Sequence, residues 1–132
     1  MKLIASDKVY VNKSDIPNAG RGVFAARDIK KDETIESCPI IEFSKHDTSN
    51  LKESFFVTYF FYFGKNKERL AIALGFGSIY NHSYKPNATF NIKPKKEVID
   101  FVALKGIKKD EEITFNYYHG TVKAGRPLWF EV

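Results

Sequence analysis

Three short segments of this 132-residue chain hold groups able to bind or transform a ligand. The first is Gly20-Arg21-Gly22. Glycines leave backbone N–H and C=O groups open to a ligand because no Cβ intervenes. The same tripeptide also makes a plain turn between strands. The second is Asn81-His82-Ser83 with Pro86-Asn87, after the apolar stretch Leu74 to Tyr80. Asn and His beside buried strands either contact a ligand or satisfy backbone groups. His46 and His119 are not at metal-ligand spacing from His82, and no Cys or carboxylate cluster accompanies it, so no metal site is expected. The third is Phe115-Asn116-Tyr117-Tyr118. It ends a strand with hydroxyl-bearing aromatics, and a buried Tyr needs one hydrogen-bond partner and is otherwise core. Gly75-Phe76-Gly77-Ser78 lacks the third glycine and following helix of a dinucleotide-binding turn.

Short elements must position these segments. Val9-Tyr10-Val11 reads as a strand, stopped by turn residues from Asn12 to Gly22. Val23 to Ala26, Thr34 to Phe43, Leu70 to Leu74, Ala88 to Ile92, Val98 to Leu104 and Ile113 to Tyr118 follow as strands. Pro39 argues against a regular central strand at that point. His46 to Glu53 is polar and turn-like, and Phe55 to Phe63 packs seven aromatics into nine residues. No long 3.6-residue period occurs, so the fold is expected to be mostly β with at most one or two short helices. No internal repeat or low-complexity tract marks the chain. Trp129, Leu128 and Phe130 give the last segment enough apolar surface to dock on the domain.

Composition sets the outer limits. Hydrophobic residues make up 43% and charged residues 28%, which excludes wholesale disorder. The length suits one domain, residues 1–132. One cysteine, Cys38, excludes an intramolecular disulfide and a thiolate zinc cluster. The N-terminus has no signal-like apolar core, and nine apolar residues are too few for a membrane span. A soluble intracellular protein is therefore expected. The net charge of +5 favours an acidic partner or a chromatin setting. The seven lysines between Lys85 and Asp110 lack the arginine and aromatic interleaving of a nucleic-acid surface.

In this order and spacing, three motifs resemble the SET-domain protein lysine methyltransferases. Gly20-Arg21-Gly22-Val23-Phe24-Ala25 is similar to that family's G-x-G-(V/L)-F opening. Tyr80-Asn81-His82-Ser83 with Pro86-Asn87 resembles its N-H-S-x-x-P-N signature. Asp110-Glu111-Glu112-Ile113-Thr114-Phe115-Asn116-Tyr117 resembles G-E-E-(L/I)-T-(F/Y)-x-Y, with Asp110 in place of Gly. The resemblance spans roughly Val9 to Tyr117. It implies small curved sheets in which the N-H-S segment and the last strand meet in a pseudoknot-like crossing. It also implies S-adenosylmethionine as methyl donor and a protein lysine as acceptor. Gly20, Arg21, Gly22, Phe24, Asn81, His82, Tyr117 and Trp129 are the implied cofactor contacts, with Tyr117 catalytic. Phe115, Tyr59, Phe61 and Tyr80 are expected along the lysine channel. With a single cysteine, the chain resembles the small stand-alone viral and prokaryotic members that lack zinc-binding flanks. The segment Tyr118 to Val132 is then expected to close the site, with Trp129 or Phe130 near the adenine.

The implied chemistry is methyl displacement from a sulfonium by a neutral amine. Phe115 resembles the family's phenylalanine/tyrosine switch in the form that allows two or three methyl groups. A histone or histone-like protein is the expected substrate, a homodimer is an open option, and the compartment is cytoplasmic or nuclear, or host chromatin. No direct nucleic-acid or membrane binding is expected. The competing reading is an inactive module of the same fold that binds a basic peptide or a protein partner.

Overall fold

The computed structural model describes residues 2–52, 59–63 and 69–117. Runs of β-branched and aromatic residues, broken by turn residues, give nine strands there. They are β1 (Val9–Lys13), β2 (Arg21–Ala25), β3 (Thr34–Phe43), β4 (Phe60–Phe63), β5 (Arg69–Ala73), β6 (Asn81–His82), β7 (Ala88–Lys93), β8 (Val98–Ala103) and β9 (Glu112–Phe115). One sheet runs β1-β2-β9-β6 and the other β4-β5-β3-β8-β7. The mostly β expectation holds. The last described strand lies between β2 and the parallel β6, with Asn81 opposite Thr114 and His82 opposite Phe115. No helix among the described residues is long and apolar enough to cross a membrane.

The two sheets share one core. Val23, Ala25 and Ile113 enter it from the first sheet, and Ile35, Cys38, Ile99, Phe101 and Ala103 from the second. At its centre Phe115 packs against Phe90, Phe101 and Phe61 at ring separations of 5.2, 5.4 and 6.0 Å. Each such pair contributes about 0.5–1.5 kcal/mol beyond its buried area. Tyr117, two residues past the end of β9, thus follows directly on a buried anchor.

Two local expectations change. Residues 45–52 form helix α1 (Lys45–Lys52) rather than a turn. Ser44 starts it: its carbonyl accepts the Asp47 N–H at 3.1 Å and its hydroxyl donates to Asp47 at 2.9 Å. A serine with an acid three residues on is a helix-start signal, and it outweighs the low apolar content. β3 also runs unbroken through Pro39. Up to Pro39 it pairs with β8, and from Ile40 onward with β5. The missing N–H falls at this handover, while the Pro39 carbonyl accepts the Leu74 N–H at 2.8 Å.

The chain does contain a short internal repeat. Ile29-Lys30-Lys31-Asp32-Glu33-Thr34-Ile35 and Ile107-Lys108-Lys109-Asp110-Glu111-Glu112-Ile113 share the pattern I-K-K-D-E-x-I. In space the copies face each other. Ile29 and Ile107 exchange both backbone hydrogen bonds, at 2.7 and 2.8 Å. The Asp32 N–H donates to Ala103 and the Asp110 N–H to Ala25, while Ala103 and Ala25 donate back to Glu33 and Glu111. Asp32 and Asp110 both take left-handed backbone, at φ 69° and 71°. Aspartate is among the few side chains that tolerate this region, which explains how Asp110 stands where the motif has glycine.

Candidate active site

The Glu112 carboxylate joins three segments of the chain. Its Oε1 accepts the Ser14 hydroxyl at 2.7 Å and its Oε2 accepts the Asn81 Nδ2–H at 2.9 Å. The second Nδ2 hydrogen of Asn81 goes to the Arg21 carbonyl at 2.8 Å. Both amide hydrogens are thereby committed, and the Asn81 Oδ1 is left to accept. Gly22 lies against the same carboxylate: a Cβ there would stand 2.3 Å from Glu112 Oε2 and 2.9 Å from Asn81 Nδ2. A side chain at 22 would therefore displace the Glu112 carboxylate from its bonds to Ser14 and Asn81. Gly20 differs. Its φ is 75° and a Cβ would meet no atom within 4 Å, so its backbone borders open space. The Ser14 N–H donates to the Gly20 carbonyl at 2.8 Å and closes the turn.

His82 and Tyr117 form a second set of contacts. The His82 residue is 2% exposed, and its Nδ1 accepts the Tyr117 backbone N–H at 3.0 Å. Burial pushes the imidazole below its ordinary pKa, so the ring is neutral with its proton on Nε2. The Tyr117 hydroxyl donates to the Tyr80 carbonyl at 2.8 Å. Burial first, then the neighbouring Tyr59 and Glu112, push the Tyr117 hydroxyl well above the ordinary tyrosine range. Tyr117 therefore keeps its proton throughout the physiological range. A hydroxyl that keeps its proton is a fixed dipole rather than a base.

Most of the motif residues converge. Arg21 brings its carbonyl to Asn81, while the Arg21 residue as a whole is exposed. Phe24 is half-buried and stacks on Tyr10 at 5.6 Å, and the Tyr10 hydroxyl donates to Asp110 at 2.9 Å. Phe115, Phe61 and Tyr80 are core aromatics, with Phe115 5.2 Å from the Tyr117 ring. Tyr59 is half-buried, and its carbonyl accepts the Ser78 hydroxyl at 3.4 Å. Trp129, Phe130 and the rest of 118–132 lie outside the described residues. Sequence reasoning passed over Ser14, Glu112 as a site member, and Glu36. Glu112 had a signal, since it stands inside the third motif. Ser14 and Glu36 had none, because their partners are distant in the chain.

A family model described as the SET domain matches residues 20–118. The chain belongs to the SET-domain family. A histone-lysine N-methyltransferase of Schizosaccharomyces pombe, specific for lysine 37 of histone H3, is 32% identical over 118 residues. That match covers 89% of this chain and 74% of the relative. The crystal structure of a Plasmodium falciparum protein, described as a candidate histone methyltransferase, superposes with a TM-score of 0.66 at 35% identity. It covers 88% of this chain and 97% of that one. Polycomb repressive complex 2 from Chaetomium thermophilum, bound to S-adenosylmethionine, gives a TM-score of 0.70 at 26% identity, over 86% of this chain and 15% of that one. This SET domain is a protein-lysine methyltransferase that uses S-adenosylmethionine. Its residues fit that donor. The Gly20 backbone borders open space, and the Asn81 carboxamide, its two hydrogens committed, carries an acceptor oxygen of the kind that suits a cationic group.

One consequence concerns pH. The unfolded chain takes up the His82 proton first as pH falls, because burial holds the folded pKa low. The associated stability is complete above the unfolded pKa of about 6.5 and is lost as pH falls through it. Protonation also displaces the Tyr117 N–H from Nδ1. The urea midpoint is expected to drop between about pH 7.5 and 5.5, and His82→Asn, which keeps an acceptor but cannot titrate, is expected to flatten the drop. Equal slopes in the two proteins would remove His82 from this role.

Proposed function

We propose that this SET domain di- or trimethylates a lysine of a histone or similarly basic protein, with Tyr117 as the catalytic residue. The observation that carries the reading is the Tyr117 hydroxyl fixed on the Tyr80 carbonyl with its proton retained. When bound, S-adenosylmethionine supplies an electrophilic methyl group on a sulfonium sulfur. A free lysine is more than roughly 99% protonated at pH 7, so the substrate must lose a proton to bulk water before its amine can attack. An apolar channel lined by Phe and Tyr rings disfavours the ammonium form. With the Tyr117 proton donated to the Tyr80 carbonyl, the hydroxyl oxygen serves the amine as a hydrogen-bond acceptor and holds it in line. Alignment of this kind contributes up to about 7–11 kcal/mol. Neither His82, whose Nδ1 is occupied, nor Tyr117 serves as a strong base.

The histone assignment draws on the fission-yeast relative, which acts on histone H3. It carries a nuclear or chromatin location with it. The capacity for more than one methyl group rests on Phe115, which puts no hydroxyl beside Tyr117. A homodimer is supported by Ile41, Tyr62 and Leu74. These large apolar side chains are exposed; the strand register puts Ile41 and Tyr62 on one face of the β4-β5-β3 region, and Leu74 follows directly after β5.

Methyl transfer to histone H3, followed by mass spectrometry, tests the reading. Tyr117→Phe is expected to lower turnover on the order of a hundredfold and to change the calorimetric affinity for S-adenosylmethionine little. A full rate in that variant would overturn the assignment of Tyr117. Phe115→Tyr is expected to shift product toward monomethyl-lysine, and unchanged product ratios would sink the Phe115 role. Light scattering is expected to report a dimer that Ile41→Glu dissociates. A monomeric wild type would end the dimer reading.

A further inference from the structure

We propose that Glu36, which no motif includes, is a positioning residue for methyl transfer: it fixes Tyr80, whose backbone carbonyl holds the Tyr117 hydroxyl. The inference rests on the reading of Tyr117 as catalytic. Glu36 lies on β3, in the second sheet, and is 7% exposed. Among the described residues no lysine or arginine forms an ion pair with it. A carboxyl group buried without a counter-ion is costly, and apolar residues of the same volume often make a more stable core. A carboxyl group in this position therefore points to a task other than stability.

The contacts show the task. Glu36 Oε1 accepts the Tyr80 hydroxyl at 2.8 Å, a fully buried bond between residues 44 apart in sequence. Oε2 accepts the Phe76 N–H at 3.0 Å. The turn between β5 and Tyr80 wraps the carboxylate closely: Gly75 has φ 61°, and a Cβ there would come within 2.7 Å of Oε2. Burial pushes the neighbouring Cys38 thiol upward, with Glu36 adding to the shift, so Cys38 stays neutral and brings no second anion. Tyr80 is 1% exposed and stacks on Phe101 at 4.5 Å. It is therefore held at its hydroxyl by Glu36, at its ring face by Phe101, and at its carbonyl by Tyr117. Freeing the hydroxyl end lets the Tyr80 backbone shift, and the Tyr117 oxygen shifts with it. Misplacement by about 1 Å costs up to a hundredfold in rate.

The test compares Tyr80→Phe, Glu36→Ala and Glu36→Gln with wild type, each alone and combined with Tyr117→Phe. Circular dichroism reports folding and calorimetry reports S-adenosylmethionine affinity. Tyr80→Phe and Glu36→Ala are expected to lower kcat about tenfold, with donor affinity and the KM for a lysine peptide within about twofold. Glu36→Gln, which keeps an acceptor for Phe76 and can pair with the Tyr80 hydroxyl, is expected to restore most of the rate. In the Tyr117→Phe background none of these changes should lower the residual rate further. A wild-type kcat in folded Tyr80→Phe overturns the proposal. So does a loss that multiplies undiminished in the Tyr117→Phe background, or one matched by an equal loss of donor affinity. Failure of the Tyr117 reading itself would show in Tyr117→Phe alone, as a rate equal to wild type.

Discussion

One carboxylate, that of Glu112, holds the two halves of the active site in register. It touches the Ser14 turn, the Gly22 backbone and the Asn81 amide from a strand that also pairs with both β2 and β6. A charge-assisted hydrogen bond contributes roughly 1.5–3 kcal/mol, but the larger constraint here is steric. A Cβ at residue 22 would stand within 2.3 Å of the carboxylate and push it from its partners. Glycine at 22, asparagine at 81 and glutamate at 112 therefore form one packing solution, and each is intelligible only beside the other two.

The rest of the site follows the same logic of fixed hydrogen bonds. Burial moves the pKa of His82 down and that of Tyr117 up, away from neutrality in both cases. Proton transfer by poised side chains is thus not what this arrangement supports. It supports alignment: His82 holds the Tyr117 backbone, Tyr80 holds the Tyr117 hydroxyl, and Asn81 holds the Arg21 carbonyl. That suits a displacement in which geometry and a dry surrounding carry most of the barrier lowering.

The facing I-K-K-D-E-x-I segments supply the frame. Their reciprocal backbone bonds tie the end of β2 to the turn before β9, and the end of β8 to the turn before β3. Each of these ties stays within one sheet, and the Ile29–Ile107 pair joins the two connectors that run between the sheets. β9 enters the site at a height set by Asp110, and β3 delivers Glu36 to the opposite side of Tyr80.

The residues by themselves determined the class of fold and the family, because strand runs, turn glycines and three ordered motifs are all local patterns. They also marked Gly20, Asn81, His82 and Tyr117, whose motifs lie in short contiguous stretches. Helix α1 was missed because its start signal, Ser44 with Asp47, was outweighed by polar composition. Pro39 misled because a proline's cost depends on which neighbour would have accepted its N–H, and that neighbour changes at residue 40. The seven-residue repeat was too short to stand out as a period, and its meaning lies in the pairing of Ile29 with Ile107. Only the tertiary structure decided that Gly22 is small for Glu112, that His82 serves Tyr117, and that Glu36 reaches Tyr80. Each of these relations joins residues between 35 and 90 positions apart. A one-dimensional pattern holds no distance between such residues; chain crossing and packing create it.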